Sequence, residues 1–171
     1  MTGPRPVRDI ADEAPCSIRS AQAQDLEALA QLWHTAWHEA HDPVVPPALR
    51  RARTLEQFTS RMEAMLPRVA VAEGMQTILG FCAIQGQEVE HLFVHAQARG
   101  RGVARHLMKN GLAQIAATGG DTAHLFCLHG NRRGMRFYDR SGWTRRGLSL
   151  EQVSVPGGRV TLRSLRYEMK L

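Results

Sequence analysis

Glu90-His91-Leu92-Phe93-Val94, then His95-Ala96-Gln97-Ala98, then Arg99-Gly100-Arg101-Gly102-Val103-Ala104-Arg105 is the stretch that decides the reading of this chain. The first run is β-prone, and Val103, Leu107, Leu112 and Ile115 then recur at the spacing of one helix face. Strand, glycine-rich turn and helix therefore follow one another directly. Glycine lets backbone approach a ligand closely, and a first helical turn offers unpaired N–H groups at the positive end of the helix dipole. Arg99, Arg101 and Arg105 add positive charge, so the turn has the chemistry of a pyrophosphate site. It is not a nucleoside-triphosphate loop, because GxxxxGK[ST] is absent, and Gly100 with Gly102 does not complete a dinucleotide-binding GxGxxG. An isolated GxG more often only links strand to helix; the arginines and the helix favour phosphate here.

On the N-terminal side, residues 17–19 read as a short strand and residues 25–38 as an amphipathic helix carrying Leu26, Leu29, Leu32, Trp33, Ala36 and Trp37. Pro43, Pro46 and Pro47 predict an extended loop over residues 41–47. Thr54 with Gln57 forms a capping-box start for a second helix that ends at Pro67. Residues 69–72 and 78–84 read as a hairpin turning at Glu73 and Gly74, and residues 89–94 as the next strand. On the C-terminal side the helix from Gly102 ends at Gly119-Gly120, followed by a strand over 123–128 and a helix over 131–140. Residues 143–171 close the chain as a β-hairpin around Pro156-Gly157-Gly158. The order β-α-α-β-β-β-α-β-α-β-β gives a mixed α/β (α+β) domain.

With 171 residues, 43% hydrophobic and 22% charged, the chain suits a single compact domain, expected over residues 17–171 after a flexible leader over residues 1–16. No apolar run reaches the roughly 20 residues of a membrane-spanning helix, and the Pro4, Pro6 and Pro15 leader lacks a signal-peptide core. Cys16, Cys82 and Cys127 have no paired spacing and are expected as reduced thiols in a cytoplasm. The net charge of +6 concentrates partly in residues 99–109 and 132–146, which suits a polyanionic small molecule as well as nucleic acid. No recognition helix or aromatic RNA-binding motif accompanies it, so nucleic acid is not an expected partner.

Arg99-Gly100-Arg101-Gly102-Val103-Ala104 resembles the (Q/R)xxGx(G/A) signature of the GNAT acetyltransferases. Asn131-Arg132-Arg133-Gly134-Met135-Arg136-Phe137-Tyr138, followed by Ser141-Gly142-Trp143, is similar to that family's NxxAxxFYxxxGF block, with Gly134 and Trp143 as departures. The resemblance implies a mixed sheet of about seven strands, splayed, with about four flanking helices. It also implies acetyl-CoA as cosubstrate and an amine as acceptor. Backbone groups of Leu92, Phe93 and Val94 would hold the pantetheine arm and acetyl carbonyl. The amides of Gly100 to Arg105, Val103 and Ala104 included, would bind pyrophosphate. Asn131 would bond to the cofactor, although Asn is also a good N-cap. Tyr138, seven residues on, would be the general acid at the leaving thiolate.

The attacking amine must be neutral, so a base is expected near the acetyl group. Glu90 is the candidate, weighed evenly against a solvent-facing strand residue; His91, His129 and Glu88 stand behind it. Where the branch acting on ribosomal-protein N-termini has a glutamate, this chain has Phe126, which counts against that acceptor. Trp33, Trp37 and His38 are candidates for the acceptor pocket, with helix core as the competing reading. His34, His38 and His41 lack completing ligands for a metal, and none is expected. Arg50, Arg51 and Arg53 form a basic run that could attract an acidic acceptor, but they read as solvated surface. The C-terminal hairpin offers a surface for a homodimer. The function expected is transfer of acetyl from acetyl-CoA to a primary amine in a ternary complex; the alternative is a non-catalytic acyl-CoA-binding or regulatory module, which would not need Tyr138.

Overall fold

A computed structural model describes residues 16–171, so all of the expected leader except Cys16 lies outside the described residues. The elements are β1 (Ser17–Ser20), α1 (Leu26–His41), α2 (Pro47–Ala52), α3 (Leu55–Met65), β2 (Val69–Gly74), β3 (Thr77–Gln85), β4 (Glu88–Val94), α4 (Val103–Ala117), β5 (Thr122–Leu128), α5 (Arg132–Arg140), β6 (Thr144–Val155) and β7 (Gly158–Lys170). The strands form one seven-stranded sheet in the order β1-β2-β3-β4-β5-β7-β6. All neighbours are antiparallel except β4 and β5.

Side-chain alternation along the central strands sorts the core into two layers. Val69, Val71, Phe81 and Ala83 face α1 and α3, where they meet Leu29, Trp33, Phe58 and Met62. Ala72 and Cys82 face the other way, into a layer with Val103, Leu107 and Ile115 of α4 and with Leu125 and Tyr167. Residues 69–72 of β2 are all buried, as expected of a strand covered on both faces. A side-chain carbon added at Gly111 would sit 2.9 Å from Ile84 Cδ1, so glycine sets how closely α4 lies on β3.

Three local expectations change. The helix expected over residues 25–38 runs on to His41, and the loop expected over 41–47 gives way at Pro47 to a fifth helix, α2. Proline is favoured at the first helical position because its missing N–H would have no partner there. The first hairpin turns at Met75 and Gln76, both at positive φ (49° and 60°), and Gly74 ends the strand before it. Thr54 does cap α3, its hydroxyl accepting from the Gln57 amide.

Asp25 anchors β1 to the start of α1. It is 6% exposed, accepts from both terminal nitrogens of Arg19 at 2.7 and 3.0 Å, and accepts from the Gln22 amide at 2.8 Å. Arg19 also holds Glu73 of β2, and the Arg19 guanidinium keeps the Asp25 carboxyl below its usual range. Asp25→Ala should cost roughly 2 kcal/mol in urea unfolding, less than a fully buried pair because Glu73 still partners Arg19. A change below about 0.5 kcal/mol would contradict the role given to this pair.

Candidate active site

The site begins where the sheet fails to close. The two parallel strands β4 and β5 are registered only at Glu88 and His124, with the His124 amide bonded to the Gln87 carbonyl at 3.0 Å. Beyond that bridge the strands part. The facing edge of β4 through Leu92, Phe93 and Val94 is therefore left without a strand partner, although buried backbone groups are otherwise nearly always paired. A cleft of about 950 Å³ fills the gap and runs from the turn after β4 to α1, α2 and the β6–β7 hairpin.

At one end of the cleft the chain leaves β4, passes a short 3₁₀ turn over Ala96–Ala98 and reaches the glycine turn. Gly100 and Gly102 have φ of +76° and +79°, a conformation in which a side chain is strained. Gly102 is the N-cap of α4 and brings no side chain to the first turn of the helix. Gly100, Gly102, Val103, Ala104 and Arg105 line the cleft, so the positive end of α4 opens into it. Arg99 donates to the Val94 carbonyl at 3.3 Å and pairs with Glu39 of α1, which ties the turn to the first helix. Arg133 lies across the same end, its guanidinium destabilised by burial and by Arg99. The exposed Arg101 side chain is not among the residues that line the cleft.

Across the gap, Asn131 caps α5: its Oδ1 accepts from the Gly134 amide at 3.0 Å. Its Nδ2 lies 3.4 Å from His41 Nε2, so one amide joins α5 to the end of α1. Gly134 departs from the family block for a visible reason. A side-chain carbon there would come within 2.9 Å of Asn131 Nδ2 and 3.1 Å of Cys127 Sγ. One turn further on, Tyr138 packs against Phe137, Trp143 and Tyr167 at ring distances of 5.3, 6.1 and 5.5 Å and lines the cleft. Its hydroxyl makes no hydrogen bond among the described residues. Burial pushes its pKa well above the ordinary phenol value, helped by Cys127 and Cys82.

Glu90 occupies a special place on β4. Ile84 pairs with Val89 and Ala83 with His91, which leaves Glu90 as the extra residue of a β-bulge. Bulges re-aim side chains and are common beside active sites. The Glu90 carboxylate lines the cleft, forms a salt bridge with Arg68 and lies 3.7 Å from His91 Nε2. His91 packs on Trp33 at 4.6 Å, and its Nε2 is buried without a hydrogen-bond partner among the described residues. Burial, reinforced by Arg61, Arg68 and Arg53, pushes this imidazole down to about 3.

The three acceptor-pocket candidates separate. Trp37 lines the cleft half-buried. Trp33 touches it too, but is 1% exposed and belongs to the core against Phe58 and Phe81. His38 is not among the lining residues: its ring nitrogens lie 2.7 Å from Asp42 Oδ1 and 2.7 Å from the Arg53 carbonyl, which fastens α1 to the end of α2. Of the other histidines, His41 lines the cleft and His34 does not. One residue was missed, and another was assigned to the surface. Arg53, grouped above with solvated surface, and Arg61 both line the cleft, while Arg50 and Arg51 are exposed. The signal for Arg61 lay in its position, three residues after Phe58 on the apolar face of α3. No group of three or more potential metal ligands occurs among the described residues, and none of their helices is long and apolar enough to cross a membrane.

A family profile described as an acetyltransferase (GNAT) domain matches residues 47–156. The chain belongs to the GNAT acetyltransferase family. No curated protein sequence matches it. Among solved structures, apo-form YjaB from Escherichia coli is 23% identical with a TM-score of 0.70, covering 90% of this chain and 96% of its own. The yncA protein from Salmonella typhimurium with its cofactor acetyl-CoA is 20% identical, TM-score 0.64, covering 92% and 94%. The PaiA N-acetyltransferase from Thermoplasma acidophilum in complex with coenzyme A is 18% identical, TM-score 0.62, covering 91% and 99%. At these identities the likeness is one of fold, and the split sheet belongs to a GNAT fold.

The buried, neutral His91 carries a stability signature. The unfolded chain protonates it near 6.5 and the folded chain only near 3, so between those values the unfolded state binds more protons. Stability attributable to this group is therefore present above about pH 6.5 and falls as pH drops through that window, by at most about 1.4 kcal/mol per pH unit. Urea unfolding of His91→Gln at about pH 6, 5 and 4 should show a shallower loss than the wild type. An identical slope would contradict the burial of an uncharged imidazole.

Proposed function

We propose that this GNAT protein is an N-acetyltransferase that moves the acetyl group of acetyl-CoA to a primary amine by direct attack in a ternary complex. The observation that carries the reading is the conjunction of two openings in one cleft: the α4 N-terminus behind Gly102, and the unpaired edge of β4 beyond the Glu88–His124 bridge. A diphosphate needs the first and an amide-containing arm needs the second. The residues present fit acetyl-CoA: positive-φ glycines where backbone must approach phosphate, open space at Gly100, and Arg133 beside the turn.

Acetyl-CoA supplies a thioester carbonyl for an amine to attack and a thiolate to expel. The chain's part is to hold the arm along Leu92, Phe93 and Val94, and the pyrophosphate on the amides of Gly100 to Arg105. Tyr138 keeps its proton through the neutral and alkaline range because its pKa is raised, and a hydroxyl with no partner among the described residues is free to donate to developing negative charge. Glu90, turned out by the bulge and steadied by Arg68, takes the proton of the incoming amine directly or through water. His91 also lines the cleft, but burial lowers its proton affinity too far for it to take the amine's proton near neutral pH.

Gly102→Glu should abolish acetyl-CoA binding in calorimetry, because a side chain is strained at that φ and its carboxylate would repel phosphate. Retained affinity would contradict the cofactor site. Tyr138→Phe should bind acetyl-CoA as the wild type does while kcat, read from released thiol over an amine panel, falls about 100-fold. Turnover unaffected by that change would remove the tyrosine from the chemistry and favour a binding module with another role. Glu90→Gln should lower kcat/KM near neutral pH and recover partly at higher pH, where more of the free amine is already neutral.

A further inference from the structure

Trp33 and Trp37 lie one turn apart on α1, and an arginine sits over each. The Arg61 guanidinium carbon is 4.6 Å from the Trp33 ring centre, and that of Arg53 is 5.9 Å from Trp37. A guanidinium stacked on an aromatic ring has its face covered, while the N–H donors around its rim stay available for in-plane acceptors. Among the described residues, the rims here have no acceptor. Arg19, Arg68, Arg99, Arg145, Arg146 and Arg166 each hold a carboxylate within salt-bridge distance. Among the described residues Arg53 and Arg61 hold none, and the Arg53 Nε is buried there without a hydrogen-bond partner.

Leaving partly buried cations unpaired is costly. Burial first, and Arg53 second, bring the pKa of Arg61 down to about 10. Both side chains line the same cleft as Glu90 and the open edge of β4. Glu90 is already taken by Arg68, and Glu151 of β6 is felt by both arginines without reaching either as a salt bridge. The α2 helix packs against β6, and Leu49 of α2 with Leu150 and Glu151 of β6 line the cleft beside them.

We propose that Arg53 and Arg61 form a carboxylate-binding subsite, and that the acceptor is a small amino carboxylate whose amine points toward Glu90. The inference rests on the acetyltransferase reading. A single negative charge suits the subsite better than a doubly charged phosphate, because Glu90 and Glu151 also act on it. The carboxylate accepts from the two guanidinium rims, and the amine of the same molecule falls among the carboxylates of the cleft. No chemistry is added to the acetyl transfer; the subsite selects and orients.

The test titrates a panel of free amino acids, each beside its carboxamide and its aminophosphonic counterpart, into the protein with and without saturating CoA. Binding is followed by calorimetry and by tryptophan emission, to which Trp33, Trp37 and Trp143 all contribute. At least one acid should bind, with its amide about 10-fold to 100-fold weaker. Arg61→Met should bring the acid down to the affinity of the amide while CoA affinity is unchanged, and Arg53→Gln should act in the same direction. Arg61→Lys, which keeps the charge but not the planar rim, should restore only part of the loss. The proposal is overturned if no acid binds, if acid and amide bind alike, if the phosphonate is preferred, or if both variants leave the acid's affinity untouched. Failure of CoA to bind would instead overturn the acetyltransferase reading, and the acid-to-amide ratio measured without CoA would still decide the subsite.

Discussion

The rest of this structure depends on one broken interaction: β4 and β5 lie side by side, start to pair at Glu88 and His124, and then stop. A parallel pair would ordinarily continue its ladder, because unpaired buried backbone groups are costly. Here two things hold the strands apart. On one side β4 is bound into β3 along its whole length, with a bulge at Glu90 that turns the strand. On the other, β5 is bound into β7 over seven consecutive pairs from Thr122 to Leu128. Each half of the sheet is complete in itself, so the seam between them stays open, and what lines the seam becomes the site.

The two ends of that seam differ in charge. Arg99, Arg133 and the α4 N-terminus gather positive charge at the end beside the glycine turn, with Glu39 paired to Arg99. The opposite end mixes Arg53 and Arg61 with Glu88, Glu90 and Glu151. On the proposed reading, a polyanion is drawn to the first and a molecule carrying both signs to the second. Tyr138 and the open edge of β4 lie between, where neither charge dominates and burial governs proton affinity. Glu88 follows the same rule, since its carboxyl is raised first by burial and then by Glu90 and Glu151.

Local signals were legible in the sequence, and long-range ones were not. The strand, glycine turn and helix around Gly102, the Thr54 cap, the Asn131 cap and the closing hairpin are each written within a few residues, and each is present. Pro47 misled because a proline that ends one helix also starts another well. Trp33 and Trp37 share one helical stripe, so periodicity could not separate the core ring from the cleft ring. The partners that decide Glu90 and His38 lie at Arg68 and at the carbonyl of Arg53, 22 and 15 residues away, in other elements. The same holds for Arg53 and Arg61, whose chemistry comes from tryptophans on another helix.

The central claim is that one seam receives acetyl-CoA along β4 and at the start of α4. Hydrogen exchange with and without saturating acetyl-CoA tests it most directly. Protection should appear at the amides of Leu92 to Val94 and of Gly100 to Arg105, with β1 unchanged. Binding that leaves those amides as they were, or that protects a different part of the sheet, would contradict the account.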